Sequence, residues 1–250
     1  MSERELRVVT LLTDFGTADG YVAALKGVVA TGAPRARVDD AGHDLPRGNV
    51  AHAARALRRF WDRYPPGTVH VVVVDPGVGT SRRAVAVAAG GRFGVGPDNG
   101  VFTHVLTKAG SWKAVELEIS PEASSTFHGR DVFAPAGARL AAGESLESLG
   151  RAVDDLMLLP EPTAAVGRGS VQTVDRFGNL VTDIPADALG TGTEVEIGGR
   201  RIPAARTYGD VTPGRLVALR GSDGTVEVAV RDGSAASALG VGVGASVRVL

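Results

Sequence analysis

The chain reads as an α/β domain built on a mostly parallel sheet, followed by a small all-β domain of barrel type. Three observations predict this. Short apolar runs such as residues 69–74 (VHVVVV), β-branched except for His70, suit strands buried on both faces. As far as residue 142 these runs alternate with stretches of helical period, as βαβ units do. Beyond a Pro/Gly-rich stretch at 158–169 there is no long helix, and short strand-like runs are separated by turn dipeptides. The boundary is placed between 164 and 165, giving domains 1–164 and 165–250.

In order, residues 7–12 (RVVTLL) form a first strand that runs into Thr13-Asp14-Phe15-Gly16 and Asp19-Gly20-Tyr21. A helix follows over 21–30, then a short strand at 37–40. Asn49 is placed to cap a helix over 50–64, with Ala53, Leu57, Phe60 and Trp61 on one face. Pro65-Pro66-Gly67 ends it. The strand at 69–74 stops at Asp75-Pro76-Gly77, because proline cannot donate to a ladder and glycine tolerates unusual backbone angles. Strands are expected at 84–89 and 92–96, a short helix at 101–108, and an edge strand at 113–119. The polar segment Thr126-Phe127-His128-Gly129-Arg130-Asp131 leads into a helix to about 142, with Pro135 near its first turn. In the second domain, strands are expected at 170–174, 194–197, 216–219, 226–230 and 246–250.

Composition excludes several function classes. Of 250 residues, 27 are Lys or Arg and 28 are Asp or Glu, a net charge of -1, without the basic excess of a nucleic-acid binder. There is no cysteine, so disulfides, thiolate metal sites and cysteine nucleophiles are absent. No apolar stretch is long enough to span a bilayer, and the charged start lacks the apolar core of a signal peptide, so a cytoplasmic protein is expected. The Gly-Val-Gly triplets at 77–79 and 94–96 lack the full dinucleotide fingerprint, and no P-loop motif occurs. The five histidines show no metal-binding spacing, which leaves only carboxylate sites open.

Three loops concentrate the chemistry. Asp14 and Asp19 follow the first strand, Asp75 and Arg82 follow the 69–74 strand, and His128 lies in TFHGRD. In open α/β sheets, ligands bind at the carboxyl ends of strands. Each residue also has a plain structural reading: Asp75 as a loop cap, Arg82 as a surface arginine beside an equivalent Arg83, His128 as a packed side chain. Taken together they predict a small-molecule site at the sheet edge.

TDFGTADGYVAALKGV (13–28), VDPGVGTSRR (74–83), PDNGVF (97–102), TFHGRDVFAPAGARLAAG (126–143) and VDRFGNLVTDI (174–184) resemble, in order, the S-adenosyl-L-methionine hydroxide adenosyltransferases, relatives of the fluorinase and chlorinase enzymes. The resemblance implies an N-terminal α/β domain with a C-terminal β-barrel. It also implies a homotrimer whose sites lie between one subunit's N-terminal domain and the next subunit's C-terminal domain. The implied reaction is hydrolysis of S-adenosyl-L-methionine to adenosine and L-methionine, without metal or cofactor. The family's catalytic Asp–Arg–His set falls on Asp75, Arg82 and His128. Arg82 would favour hydroxide character, while Asp75 and His128 would orient the water and accept a proton.

Asp14 matches the carboxylate that accepts both ribose hydroxyls, and Asp19 and Tyr21 match the lining of the methionine and ribose region. Asp175 matches the partner of the methionine ammonium, Asn179 the amide near adenine, and Ser222 a serine near the methionine carboxylate. The segment 231–235, starting at Arg231, matches the backbone that reads the adenine edge. Two positions depart from the fluorinase: Asp223 replaces an arginine, and Gly129 replaces a halide-binding serine. The halogenating members also carry Tyr in place of Asp75. A halide-using transferase and a non-catalytic adenosine-binding module are the competing expectations.

Overall fold

A computed structural model describes residues 7–160 and 166–250. The chain divides into two compact units, Met1–Leu159 and Pro160–Leu250. The boundary expected between 164 and 165 lies outside the described residues.

The first unit comprises β1 (Val8–Thr13), α1 (Tyr21–Gly32), β2 (Arg37–Gly42), α2 (Val50–Phe60), β3 (Val69–Val73), β4 (Ala84–Ala89), β5 (Arg92–Pro97), α3 (Thr103–Ala109), β6 (Trp112–Leu117), α4 (Ala134–Ala142) and β7 (Gly150–Val153). Its seven strands are ordered β2-β1-β3-β5-β4-β6-β7. The β3 run is apolar except for His70 because both sheet faces are covered. Val69, Val71 and Val73 pack with Leu25 and Val29 of α1 and Leu140 of α4. Val72 and Val74 pack with Leu57 of α2 and Val105 and Leu106 of α3. His70, the polar exception, is fully buried. Its Nδ1 meets the Thr10 hydroxyl at 2.8 Å, and its ring lies 4.7 Å from that of Trp61. Asn49 caps α2 as expected, its side chain accepting from the His52 N–H at 2.9 Å.

The mostly parallel sheet is corrected to a mixed one. β2–β1, β1–β3 and β3–β5 are parallel, whereas β5–β4, β4–β6 and β6–β7 are antiparallel. For β4 the reason is connection length. Gly90 and Gly91, both at positive φ, join β4 to β5 directly, and a two-residue turn permits only a hairpin. The strand at 113–119 is not at the edge, because β7 pairs outside it. The helix expected over 50–64 ends at Phe60 and tightens into a 3₁₀ turn, Trp61–Arg63.

The second unit comprises β8 (Arg168–Val174), β9 (Leu180–Pro185), β10 (Glu194–Ile197), β11 (Arg200–Pro203), β12 (Leu216–Arg220), β13 (Thr225–Val230), α5 (Ala235–Leu239) and β14 (Ser246–Val249). The order β11-β10-β14-β8-β9-β13-β12 is antiparallel throughout, and a bridge between Ala204 and Ala218 brings the two ends together into a nearly closed barrel. Val171, Leu180, Ile184, Val195, Ile202 and Val228 fill it. Among the described residues, no helix is long and apolar enough to cross a membrane.

Candidate active site

Neighbouring parallel strands deliver the two key carboxylates to one edge. β1 and β3 pair with Thr13 opposite Val73, so Asp14 and Asp75 both emerge at carboxyl ends. His128 directly precedes a π-helical turn, Gly129–Phe133, that opens α4. The three loops line one cleft of about 780 Å³, which includes Asp14, Asp19, Tyr21, Asp75 and His128. Phe15, Tyr21 and Phe127 form its aromatic wall, in edge-to-face contacts with centroids 5.3–6.1 Å apart.

At the cleft wall, Arg82 binds Asp75 and His128 together. Its Nε donates to the Asp75 oxygens at 3.0 and 3.1 Å, and its Nη2 donates to Asp75 Oδ2. The same Nη2 donates to His128 Nδ1 at 2.7 Å. All three side chains are largely buried: Asp75 is 5% and Arg82 9% exposed, and His128 is a buried residue. Since guanidinium is donor only, Nδ1 must accept, and the ring proton is assigned to Nε2. Burial, reinforced by the Arg82 charge, lowers the His128 pKa and keeps the imidazole neutral. His128 therefore offers the cleft an N–H donor. Asp75 and His128 line the cleft, whereas Arg82 lies behind them and borders a separate cavity of about 1150 Å³. Arg83, its sequence alternative, is committed elsewhere, to Asp98 at 2.6 and 2.8 Å and to Asp155 at 2.6 Å.

Gly79 holds the Asp75 loop against the His128 loop. It sits at φ 78°, and a β-carbon there would meet the Ser125 carbonyl oxygen at 2.5 Å. Asp14 is fixed by the Gly48 N–H, which donates to Oδ2 at 2.7 Å. Asp19 and Tyr21 stand exposed at the mouth. Gly48 and Gly79 escape a reading for functional side chains because each contributes only backbone.

The remaining candidates lie in the second unit. Asp175 caps its own β8–β9 turn: Oδ1 accepts the N–H groups of Phe177 and Asn179, both at 2.9 Å, and Oδ2 accepts from Asn179 Nδ2 at 3.0 Å. That turn packs on the 231–235 segment at Gly178, where a β-carbon would meet Ser234 Oγ at 2.1 Å, and the Gly178 carbonyl accepts the Ala236 N–H just beyond it at 3.0 Å. Asp232 adopts a left-handed φ of 59° there. The Arg231 side chain donates to the Val211 carbonyl at 2.7 Å and is thereby held within the second unit. Ser222 lies in the β12–β13 turn, at the opposite end of β13 from Arg231. The second unit thus brings Asp175, Asn179 and 231–235 together and sets Ser222 apart. Among the described residues, no group of three or more His, Asp or Glu is placed to hold a metal ion.

The family model for the SAM hydroxide adenosyltransferase N-terminal domain matches residues 9–150, and that for the C-terminal domain matches 169–248. The chain belongs to the SAM hydroxide adenosyltransferase family. Two relatives named (R)-S-adenosyl-L-methionine hydrolase are similar over nearly their whole length. One, from Thermus thermophilus, is 46% identical over 98% of this chain and 100% of its own. The other, from Salinispora tropica, is 44% identical over 96% and 97%. A fluorinase from Actinopolyspora mzabensis is more distant, at 30% identity over 97% and 96%. The structure of an uncharacterized conserved protein from Thermotoga maritima superposes with a TM-score of 0.88 at 35% identity, covering 96% of this chain and 99% of that one. In this hydroxide adenosyltransferase, the Asp75–Arg82–His128 cluster thus sits in the N-terminal family domain, at the strand edge where ligands bind.

Proposed function

We propose that the protein hydrolyses S-adenosyl-L-methionine to adenosine and L-methionine, with water attacking the ribose C5′. The observation that carries this reading is the cluster in which one buried guanidinium binds a carboxylate and a neutral imidazole at the wall of the cleft. The relatives named as hydrolases support it.

A water held there would donate one hydrogen to Asp75 and accept the His128 Nε2–H. One lone pair is then left free to point at C5′. As the C5′–O bond forms, the C5′–S bond breaks and its electron pair returns to sulfur, giving a neutral thioether. No general acid is needed for such a leaving group. The water proton passes to Asp75 and on to solvent. His128 acts as a donor that orients the water, a narrower role than the proton acceptor expected from sequence. Positive and negative charge are both lost as the transition state forms, so a dry, preorganised site favours it. The scheme uses no metal or cofactor.

Asp14 takes the ribose hydroxyls, with Asp19 and Tyr21 beside the ribose and methionine. Asp175, Asn179 and the backbone at 231–235 take the amino acid and adenine from the C-terminal domain of a neighbouring subunit, in a homotrimer, while Ser222, at the far end of β13, is left out of this set. Product analysis tests the reading. Adenosine and L-methionine should appear in equal amounts, unchanged by added chloride. A chlorinated nucleoside would indicate a halide-using transferase, and adenosine binding without turnover would indicate a binding module.

A further inference from the structure

We propose that His43 is the positioning residue for Asp14, holding the β1 loop in the shape that presents its carboxylate to the ribose diol. This rests on the reading of Asp14 given above. His43 is buried, at 5% exposure, and does not line the cleft. It nevertheless grips the Asp14 loop at both flanks. Its Nδ1 meets the Thr13 hydroxyl at 2.9 Å, and its backbone carbonyl accepts the Gly16 N–H at 2.8 Å. Its other nitrogen, Nε2, meets Asp40 Oδ1 at 2.9 Å, and Asp40 Oδ2 accepts from Lys26 Nζ at 2.7 Å.

With the imidazole neutral, the donor directions in this chain follow from one another. Carboxylate accepts only, so the Nε2 proton points to Asp40 and Nδ1 accepts the Thr13 O–H. Thr13 Oγ1 is then free to accept the Phe15 N–H, at 3.3 Å. Every link therefore has one arrangement, running from Lys26 on α1 through Asp40 on β2 to the residues on both sides of Asp14. Gly48 secures one carboxylate oxygen, Oδ2. The remaining oxygen is aimed only as well as the 13–16 backbone is held. The network's inner pair, His43 and Thr13, is buried and hydrogen-bonded, the kind of contact that specifies a single geometry, while Asp40 and Lys26 anchor it from the surface.

The inference is tested by ligand preference. Two hydroxyls hydrogen-bonded to a carboxylate predict that the native protein binds adenosine ~10²-fold more tightly than 2′,3′-dideoxyadenosine. His43→Ala should lose ~10-fold of that preference, with dideoxyadenosine affinity changed by less than ~2-fold. Thr13→Val, of equal size, should lose a similar share. His43→Asn, which keeps an acceptor near Nδ1, should regain most of it. General loosening of the fold would weaken both nucleosides together and leave the preference intact, and that result overturns the inference. Asp14→Ala separates the two levels of argument. If it abolishes the preference while His43→Ala and Thr13→Val keep it, the role of His43 is overturned and that of Asp14 stands. If Asp14→Ala keeps the preference, the assignment of Asp14 fails, and the inference fails with it.

Discussion

Asp75 and Arg82 share three hydrogen bonds yet stand in different positions, and their variants should differ accordingly. Asp75 lines the cleft, so Asp75→Asn should lower kcat by ~10²-fold or more, the scale of losing a preorganised polar group in a dry site. Arg82 stands behind it, so Arg82→Ala should lower kcat by ~10²-fold with little change in KM, measured by steady-state kinetics. Arg82→Lys should not restore activity, because a single ammonium cannot span both partners as a planar fork does. The pH profile adds a sign. The lowered His128 pKa keeps the imidazole neutral to more acid pH than usual. The kcat/KM profile should therefore stay level down to about pH 6.5, the ordinary histidine value, and fall only below it. An acid limb centred above pH 7 would contradict the neutral-donor role. The sequence places carboxylates and an imidazole on three loops. The choice of Arg82 over Arg83 depends on where Asp98 and Asp155 fold, and no local pattern encodes that.

At the scale of elements, the β3 strand makes a stability prediction through His70. Burial lowers its folded pKa from 6.5 to about 4. The unfolded chain therefore binds a proton more readily over that interval. Stability from this group is complete above pH 6.5 and is lost as pH falls towards 4, by an amount on the order of 3 kcal/mol. Urea unfolding at pH 7 and pH 4.5 should show the loss, and His70→Asn should remove most of that pH-dependent component. A second element, the loop after β3, is tested by Gly79→Ala. Positive φ and the nearby Ser125 carbonyl predict destabilisation of about 1–3 kcal/mol and a lower kcat, as the two catalytic loops are forced apart. The β3 run was readable because burial on both faces leaves a stretch apolar at every position but His70. β7 was not, because its four residues alternate no apolar face and its pairing with β6 is set by tertiary contact. The direction of β4 was written in Gly90-Gly91, a turn too short for a crossover.

On the scale of the molecule, two family domains divide the candidate residues between them, Asp75 in one and Asp175 in the other. The barrel was legible from turn-separated short strands, but β9 and β11 were not, since each looks like loop until its neighbours pair with it. The proposed trimer predicts complementation. Mixing inactive Asp75→Ala and Asp175→Ala chains after joint refolding should restore about a quarter of native activity, because one site in four combines intact halves. Sites completed within a single chain would give none. The central claim, that water held by Asp75 and His128 attacks C5′, is tested most directly by turnover of S-adenosyl-L-methionine in ¹⁸O-water. The account predicts adenosine carrying the label at O5′ and unlabelled methionine. Unlabelled adenosine, or label in any other product, would contradict it.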